Sequence, residues 1–168
     1  SDDPLFKEDT LQTLDYLARD ANLSYSLHMP LRPKLFDVFD RKLESTLLIL
    51  EKLKDTNISS YTFHFDLPDG VKCKDLSKKE IAQIQDRYIV YFNDIKKKFP
   101  DIDISLENTE TPLKLLDRII YRCGIKYCID IGHLIKQNWD LDEIESRLSK
   151  TSVIHIHGCE EIDGKTQD

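Results

Sequence analysis

The sequence predicts an α/β fold built on a parallel sheet covered by helices. Two observations carry this: segments with helical apolar spacing alternate with short β-branched or aromatic runs, and successive strands stand about one βαβ unit apart. A third narrows it. No Gly-rich phosphate loop follows any strand, which weakens the nucleotide-binding, doubly wound version and leaves a (β/α) barrel ahead.

The first helix is expected over residues 8–21, where Leu11, Leu14 and Leu17 recur at helical spacing, and Asn22 ends it. Residues 25–30 read as a short strand stopped by Pro30. A second helix, about 38–55, carries Phe39, Leu43, Leu47, Leu50 and Leu53 on one stripe. Residues 61–66 form an aromatic, β-branched strand ended by Pro68-Asp69-Gly70. Ser77 and Glu80 have capping-box spacing and open a long helix with Ile81, Ile84, Tyr88, Tyr91, Ile95 and Phe99, closed by Pro100. Residues 102–107 alternate with period two. Thr111 as N-cap, Pro112 as first helical residue and Gly124 as C-terminal cap predict a helix over 112–123. A strand over 126–131, a helix over 140–149 and a strand over 153–158 complete the series. Five strands compare with the eight strands and roughly 250 residues of a complete barrel. The chain opens on a helix and stops in the polar segment 160–168. Residues 1–168 therefore read as a single partial domain, the middle of a TIM-type (β/α) barrel with parallel strands, incomplete at both ends.

The chain has 168 residues, a net charge of -7, 40% hydrophobic and 33% charged residues. That is enough for one core and too apolar for a disordered chain. No apolar run approaches the roughly eighteen residues of a membrane span, and no signal peptide is evident. A soluble, cytoplasmic protein without a membrane partner is expected. A pI near 5.2 gives no general pull toward nucleic acid, which ranks below a small-molecule substrate. Cys73, Cys123, Cys128 and Cys159 form no CxxC pair and read as reduced thiols, with Cys159 set apart by its histidine neighbours.

The five histidines, His28, His64, His133, His155 and His157, all fall at or just past the C-terminal end of an expected strand. With strand ends making up about a fifth of such a chain, chance placement of all five is on the order of one in a few thousand. In a parallel barrel those ends form the active-site face. Glu107 and Asp130 end strands at the same level, and His155 and His157, two apart, share a face. Imidazole nitrogen with carboxylate oxygen is a ligand set for zinc, manganese or iron, and so many donors suggest more than one ion. Paired ions can activate water and stabilise the departing oxygen of a phosphate ester. Singly, each residue has an ordinary alternative. A strand-end His is more often a hydrogen-bonding residue, Asp130 could cap the next turn, and Glu107 could pair with Lys126 or Arg122. Glu110 reads as a solvated loop acid, and Trp139 as packing for the loop after His133. As a set they would crowd one barrel end with unpartnered polar groups.

The ordered run His28-Met29-Pro30, Phe63-His64-Phe65-Asp66, Ser105-Leu106-Glu107-Asn108, Asp130-Ile131-Gly132-His133 and Ile154-His155-Ile156-His157-Gly158 resembles the xylose isomerase-like barrel superfamily. That superfamily includes AP endonuclease family 2 (endonuclease IV), sugar epimerases and isomerases, and the resemblance covers nearly the whole chain. Its epimerases hold one metal on late strands. Endonuclease IV adds two earlier histidines and a late Asp-x-His, and holds three zinc ions. The resemblance thus implies His28 and His64 as the early histidines and Glu107 as a bridging carboxylate. It also implies Asp130, His133 and His155 as further ligands, and Asp168 as the Asp of the late pair. With both early histidines present, it implies a multinuclear phosphoesterase over a mononuclear isomerase.

Within the superfamily, residues 23–31, the Asp130–Leu134 run and the 154–158 run are similar to the CbiR family of cobamide-remodelling phosphodiesterases, which cleave the phosphoribosyl linkage of the lower loop. His157-Gly158 in place of the Asn-Asp of endonuclease IV favours this family, whereas Arg32-Pro33 and the long Gly164–Asp168 segment depart from it. The resemblance implies a divalent-metal-dependent hydrolase of a small-molecule phosphodiester, such as a cobamide. On this reading Glu107 and His157 are the expected catalytic residues, the latter to hold the phosphate or orient a ligand. Zinc ranks first as the ion, with manganese, iron or cobalt as alternatives. The rival readings are a sugar isomerase or epimerase with Glu107 as general base on one metal, an abasic-site endonuclease, and a non-catalytic ligand-binding barrel fragment.

Overall fold

The computed structural model describes residues 7–29, 39–68, 70–109, 111–156, 160–162 and 165–167. Apolar stripes at helical spacing and β-branched or aromatic runs resolve into alternating elements. These are α1 (Glu8–Ala21), β1 (Tyr25–His28), α2 (Phe39–Leu53), β2 (Ile58–His64), α3 (Lys78–Lys98), β3 (Ile104–Glu107), α4 (Leu113–Cys123), β4 (Lys126–Asp130), α5 (Ile131–Lys136) and β5 (Thr151–His155). The five strands pair in sequence order, every pair parallel, and curl into a half-barrel with helices between them, an incomplete TIM-type α/β barrel. A separate antiparallel hairpin, β6 (Glu160–Ile162) with β7 (Lys165–Gln167), occupies what reads in the sequence as a polar tail. Among the described residues no helix is long and apolar enough to cross a membrane.

Several local signals act as expected. Asn22 closes α1 in the left-handed region at φ 52°, and Gly124 does so for α4 at φ 61°. Ser77 accepts from the Glu80 backbone N–H while Glu80 reaches back to the Ser77 N–H at 2.8 Å, a complete capping box. Other expectations need correction. β2 begins at Ile58 rather than 61 and ends at His64 rather than 66. Its serines belong in the strand because Ser60 gives its hydroxyl to Ser26 across the sheet at 2.9 Å. Likewise β5 begins at Thr151, and β3 only at Ile104. Pro112, not Thr111, holds the N-cap position of α4, so the helix starts one residue late. β4 stops at Asp130, because that carboxylate accepts from the His133 N–H at 2.9 Å and starts α5, a helix the sequence does not signal. The helix expected over 140–149 is instead two 3₁₀ turns, Leu141–Glu143 and Glu145–Lys150, with Leu141 and Leu148 exposed. Ile144 between them packs against the core, while the leucines on either side stay about half exposed. Arg147 anchors the second by a bidentate pair to Asp117 at 2.8 and 2.7 Å.

Alternation along each strand gives the sheet two unlike faces. The helix-covered face carries Tyr61, Phe63, Phe65, Ile104, Leu106, Tyr127 and Ile129, all buried against Leu50 and Leu53 of α2, Tyr88, Tyr91, Phe92 and Ile95 of α3, and Leu116, Ile119 and Ile120 of α4. Phe63 meets Phe92 edge-on at 5.4 Å between centroids. The buried Tyr88 hydroxyl accepts from the Asp66 N–H at 2.8 Å and donates to its carbonyl at 3.1 Å, tying α3 to the segment after β2. Trp139 packs at the margin of this core.

Candidate metal centre

Parallel strands in near register end at one level, and each of the five ends on a residue with a donor atom: His28, His64, Glu107, Asp130 and His155 close β1 to β5 in turn. His64 stands opposite Glu107, and Asp130 opposite His155. Glu107, with 4% of its side chain exposed, is the hub. Its Oε2 lies 2.9 Å from both His28 Nε2 and His64 Nε2, and those two nitrogens are 2.9 Å apart. Its Oε1 lies 2.7 Å from His155 Nδ1. The His28 ring meets His64 edge-on at 4.5 Å and stacks toward His155 at 5.8 Å. His28 is 44% exposed and marks the open side. Burial pushes the Glu107 carboxyl up, but the three imidazole contacts outweigh it and hold the group well below the usual carboxylate range.

Buried Asn108 sets the height of the neighbouring strand. Its Oδ1 accepts from the Asp130 N–H at 2.8 Å and its Nδ2 donates to the Asp130 carbonyl at 3.1 Å. Below the rim, Thr62 and Ser105 share a hydrogen bond at 2.9 Å. Cys128, two residues before Asp130, points to the same face, with Sγ 3.6 Å from His155 Nδ1. The sequence reading did not single out Asn108 or Cys128 for the site. The signal available for the cysteine is its two-residue offset from Asp130.

The donor set fits a divalent cation. One proton can serve the contact between His28 and His64, yet both nitrogens also face the same carboxylate oxygen, so two N–H groups would oppose each other there. Three lone pairs converging on a positive ion remove that conflict. The 2.9 Å edges need to open to only about 3.3 Å for tetrahedral bonds near 2.05 Å. Two groups of three close donors stand out among the described residues: His28 with His64 and Glu107, and Glu107 with Cys128 and His155.

Of the residues singled out in the sequence, His28, His64, Glu107 and His155 meet directly. Asp130 turns Oδ2 toward His155 Nδ1 at 3.9 Å while Oδ1 caps α5, so its capping role and its place at the rim coexist. His133 sits in the first turn of α5 and gives its backbone N–H to that cap. Lys126 pairs with Asp103 at 2.8 Å, not with Glu107. His157, Asp168, Cys159, Glu110 and the Arg32-Pro33 pair lie outside the described residues.

No protein-family model matches the chain, and no curated protein matches it. Solved structures do. The crystal structure of the probable 3-DHS dehydratase AsbF involved in petrobactin synthesis, from Bacillus anthracis, aligns with TM-score 0.64 at 13% identity over 94% of this chain and 58% of that one. SacUVDE aligns with TM-score 0.63 at 16% identity, over 95% of this chain and 57% of that one. The chain thus spans less than two thirds of either structure. Both are xylose isomerase-like TIM barrels, and what this chain shares with them is the fold.

Proposed function

We propose that this chain carries the metal-binding rim of a divalent-metal-dependent hydrolase acting on a phosphodiester, with the phosphoribosyl linkage of a cobamide as the first substrate to test. The observation that carries the reading is the division of labour on Glu107. Oε2 faces His28 and His64 while Oε1 faces His155, which suits one carboxylate shared between two cations. An isomerase holding a single ion does not need both early histidines.

When bound, such ions lower the pKa of water toward neutrality and offset charge gathering on phosphoryl oxygens. His28, His64 and Glu107 would hold one ion. Glu107, Asp130 and His155 would hold another, with His133 and Asp168 as further ligands, and His157 would orient the phosphate. Glu107 stays ionised through its imidazole contacts and so brings negative charge to both positions. Asn108 fixes the height of Asp130 against Glu107. His28 stands on the exposed side, where a substrate phosphate would approach.

Metal analysis of the protein should find two or more equivalents per chain, with hydrolysis of a cobamide or a simple aryl phosphodiester. Replacing both His28→Ala and His64→Ala should cut turnover by more than the roughly 10–100-fold cost of losing an outer-shell partner. Retained turnover in that double variant overturns the multinuclear reading. One tightly held ion with sugar interconversion would make the chain an isomerase or epimerase instead. Cleavage restricted to abasic DNA, with steep salt dependence, would make it an endonuclease.

A further inference from the structure

The sulfur beside the rim has no part in the mechanism above. Cys128 is fully buried on β4, directly opposite Glu107 in the sheet register. Its Sγ, His155 Nδ1 and a carboxylate oxygen of Glu107 all lie within 4.8 Å of one another. Sγ lies 3.6 Å from Nδ1 and 3.8 Å from Nε2, so the ring turns its face to the sulfur and a small rotation about its Cβ–Cγ bond would let the two share an ion. Asp130 Oδ2 lies 3.9 Å from His155 Nδ1, at the edge of this group.

We propose that Glu107, Cys128 and His155, with Asp130 beside them, form a cation position of mixed sulfur, nitrogen and oxygen ligands. That position selects a thiophilic divalent ion such as zinc, cobalt(II) or cadmium over magnesium. It stands next to the harder position of His28, His64 and Glu107, and the two share Glu107 through its separate oxygens. The proposal rests on the rim being a metal centre and adds which ion one side of it prefers. As the sulfur–metal bond forms, the Cys128 thiol gives its proton to solvent, one per ion bound.

Cobalt(II) titrated into the metal-free full chain tests it by absorption. The expected spectrum combines visible d–d bands with a near-ultraviolet sulfur-to-cobalt charge-transfer band. Cys128→Ser should lose the charge-transfer band and keep d–d absorption from the other position, while Cys73→Ser, Cys123→Ala and Cys159→Ser keep both. Bound cobalt with no charge-transfer band, or a band that survives Cys128→Ser, overturns the sulfur ligand and leaves the metal rim standing. No cobalt binding at all overturns both. Cadmium-113 NMR of the unsubstituted protein gives the same answer without relying on a variant that folds. A resonance moved downfield into the thiolate range supports the proposal, and one confined to the nitrogen and oxygen range overturns it.

Discussion

The two faces of the one sheet are built on opposite rules although they alternate residue by residue. The covered face is large and apolar, with Phe63, Leu106, Tyr127 and Ile129 fully buried against three helices. The inner face is small and polar: Ser26 with Ser60, then Thr62 with Ser105, then the imidazoles and carboxylates of the rim. Complete TIM barrels fill their interior with bulky branched side chains. Here hydroxyl pairs form the layer beneath the donors, so that face holds itself together by hydrogen bonds rather than by volume. The lesson is that stability and chemistry are assigned to alternate pleats of the same strands. A substitution can therefore strike one with little effect on the other.

The largest effect should come from the covered face. Phe63→Ala removes a fully buried ring that packs edge-on against Phe92, and should cost about 3–5 kcal/mol in urea denaturation. Metal stoichiometry of the fraction that remains folded should not change. A loss of metal out of proportion to the loss of folded protein would show that the two faces are not separable.

Asn108→Ala should come next, because it strikes the joint between the faces. The side chain satisfies the buried N–H and carbonyl of Asp130, and leaving them unpaired should cost roughly 2–3 kcal/mol. Unlike Phe63→Ala, it should also weaken metal binding in the folded protein, read by competition with a chelator, since Asp130 and His155 lose their fixed height relative to Glu107. Unchanged affinity would reduce Asn108 to a structural residue.

Asn108 also marks where the sequence stops being legible. The alternation of elements and the five donor-bearing strand ends follow from local periodicity, and so do the Ser77 capping box and the Gly124 stop. Asn108 does not, because its partners are 22 residues away and an Asn after a strand looks like any turn residue. Cys128 reads as a small apolar filler until its pleat is known. Serines at 59 and 60 score poorly as strand formers, yet Ser60 is held there by Ser26 on the neighbouring strand. The 140–149 segment fails in the other direction. Its composition suits a helix, but with Leu141 and Leu148 left half exposed it settles into 3₁₀ turns pinned by Ile144 and Arg147.

High pH should break the covered face first. Burial pushes the Tyr91 phenol up to about 12, with the hydrogen bond to Thr46 pulling slightly the other way. An unfolded tyrosine titrates near 10, so the folded state resists losing this proton. That stability is fully present below about pH 10 and is lost as pH rises through 12, a decline of roughly 2–3 kcal/mol from this group. Tyr91→Phe should flatten the alkaline limb of the stability profile relative to the native protein. An unchanged limb would assign the loss to other buried groups such as Tyr88.

The inner face should give smaller and conditional effects. Thr62→Val breaks the pair with Ser105 and leaves a buried hydroxyl unpartnered, at about 1 kcal/mol. His28→Ala should cost less still without metal, within about half a kcal/mol, because the imidazole is nearly half exposed and Glu107 keeps His64 and His155. The difference appears when zinc is added. At free zinc a hundredfold above its dissociation constant, the native protein should gain about 2.7 kcal/mol from binding to the folded state, whereas His28→Ala should gain much less. Equal gains would mean that the ion does not use β1. In that case the imidazole of His28 would only hydrogen-bond to Glu107, and the inner face would differ from the outer in polarity but not in purpose.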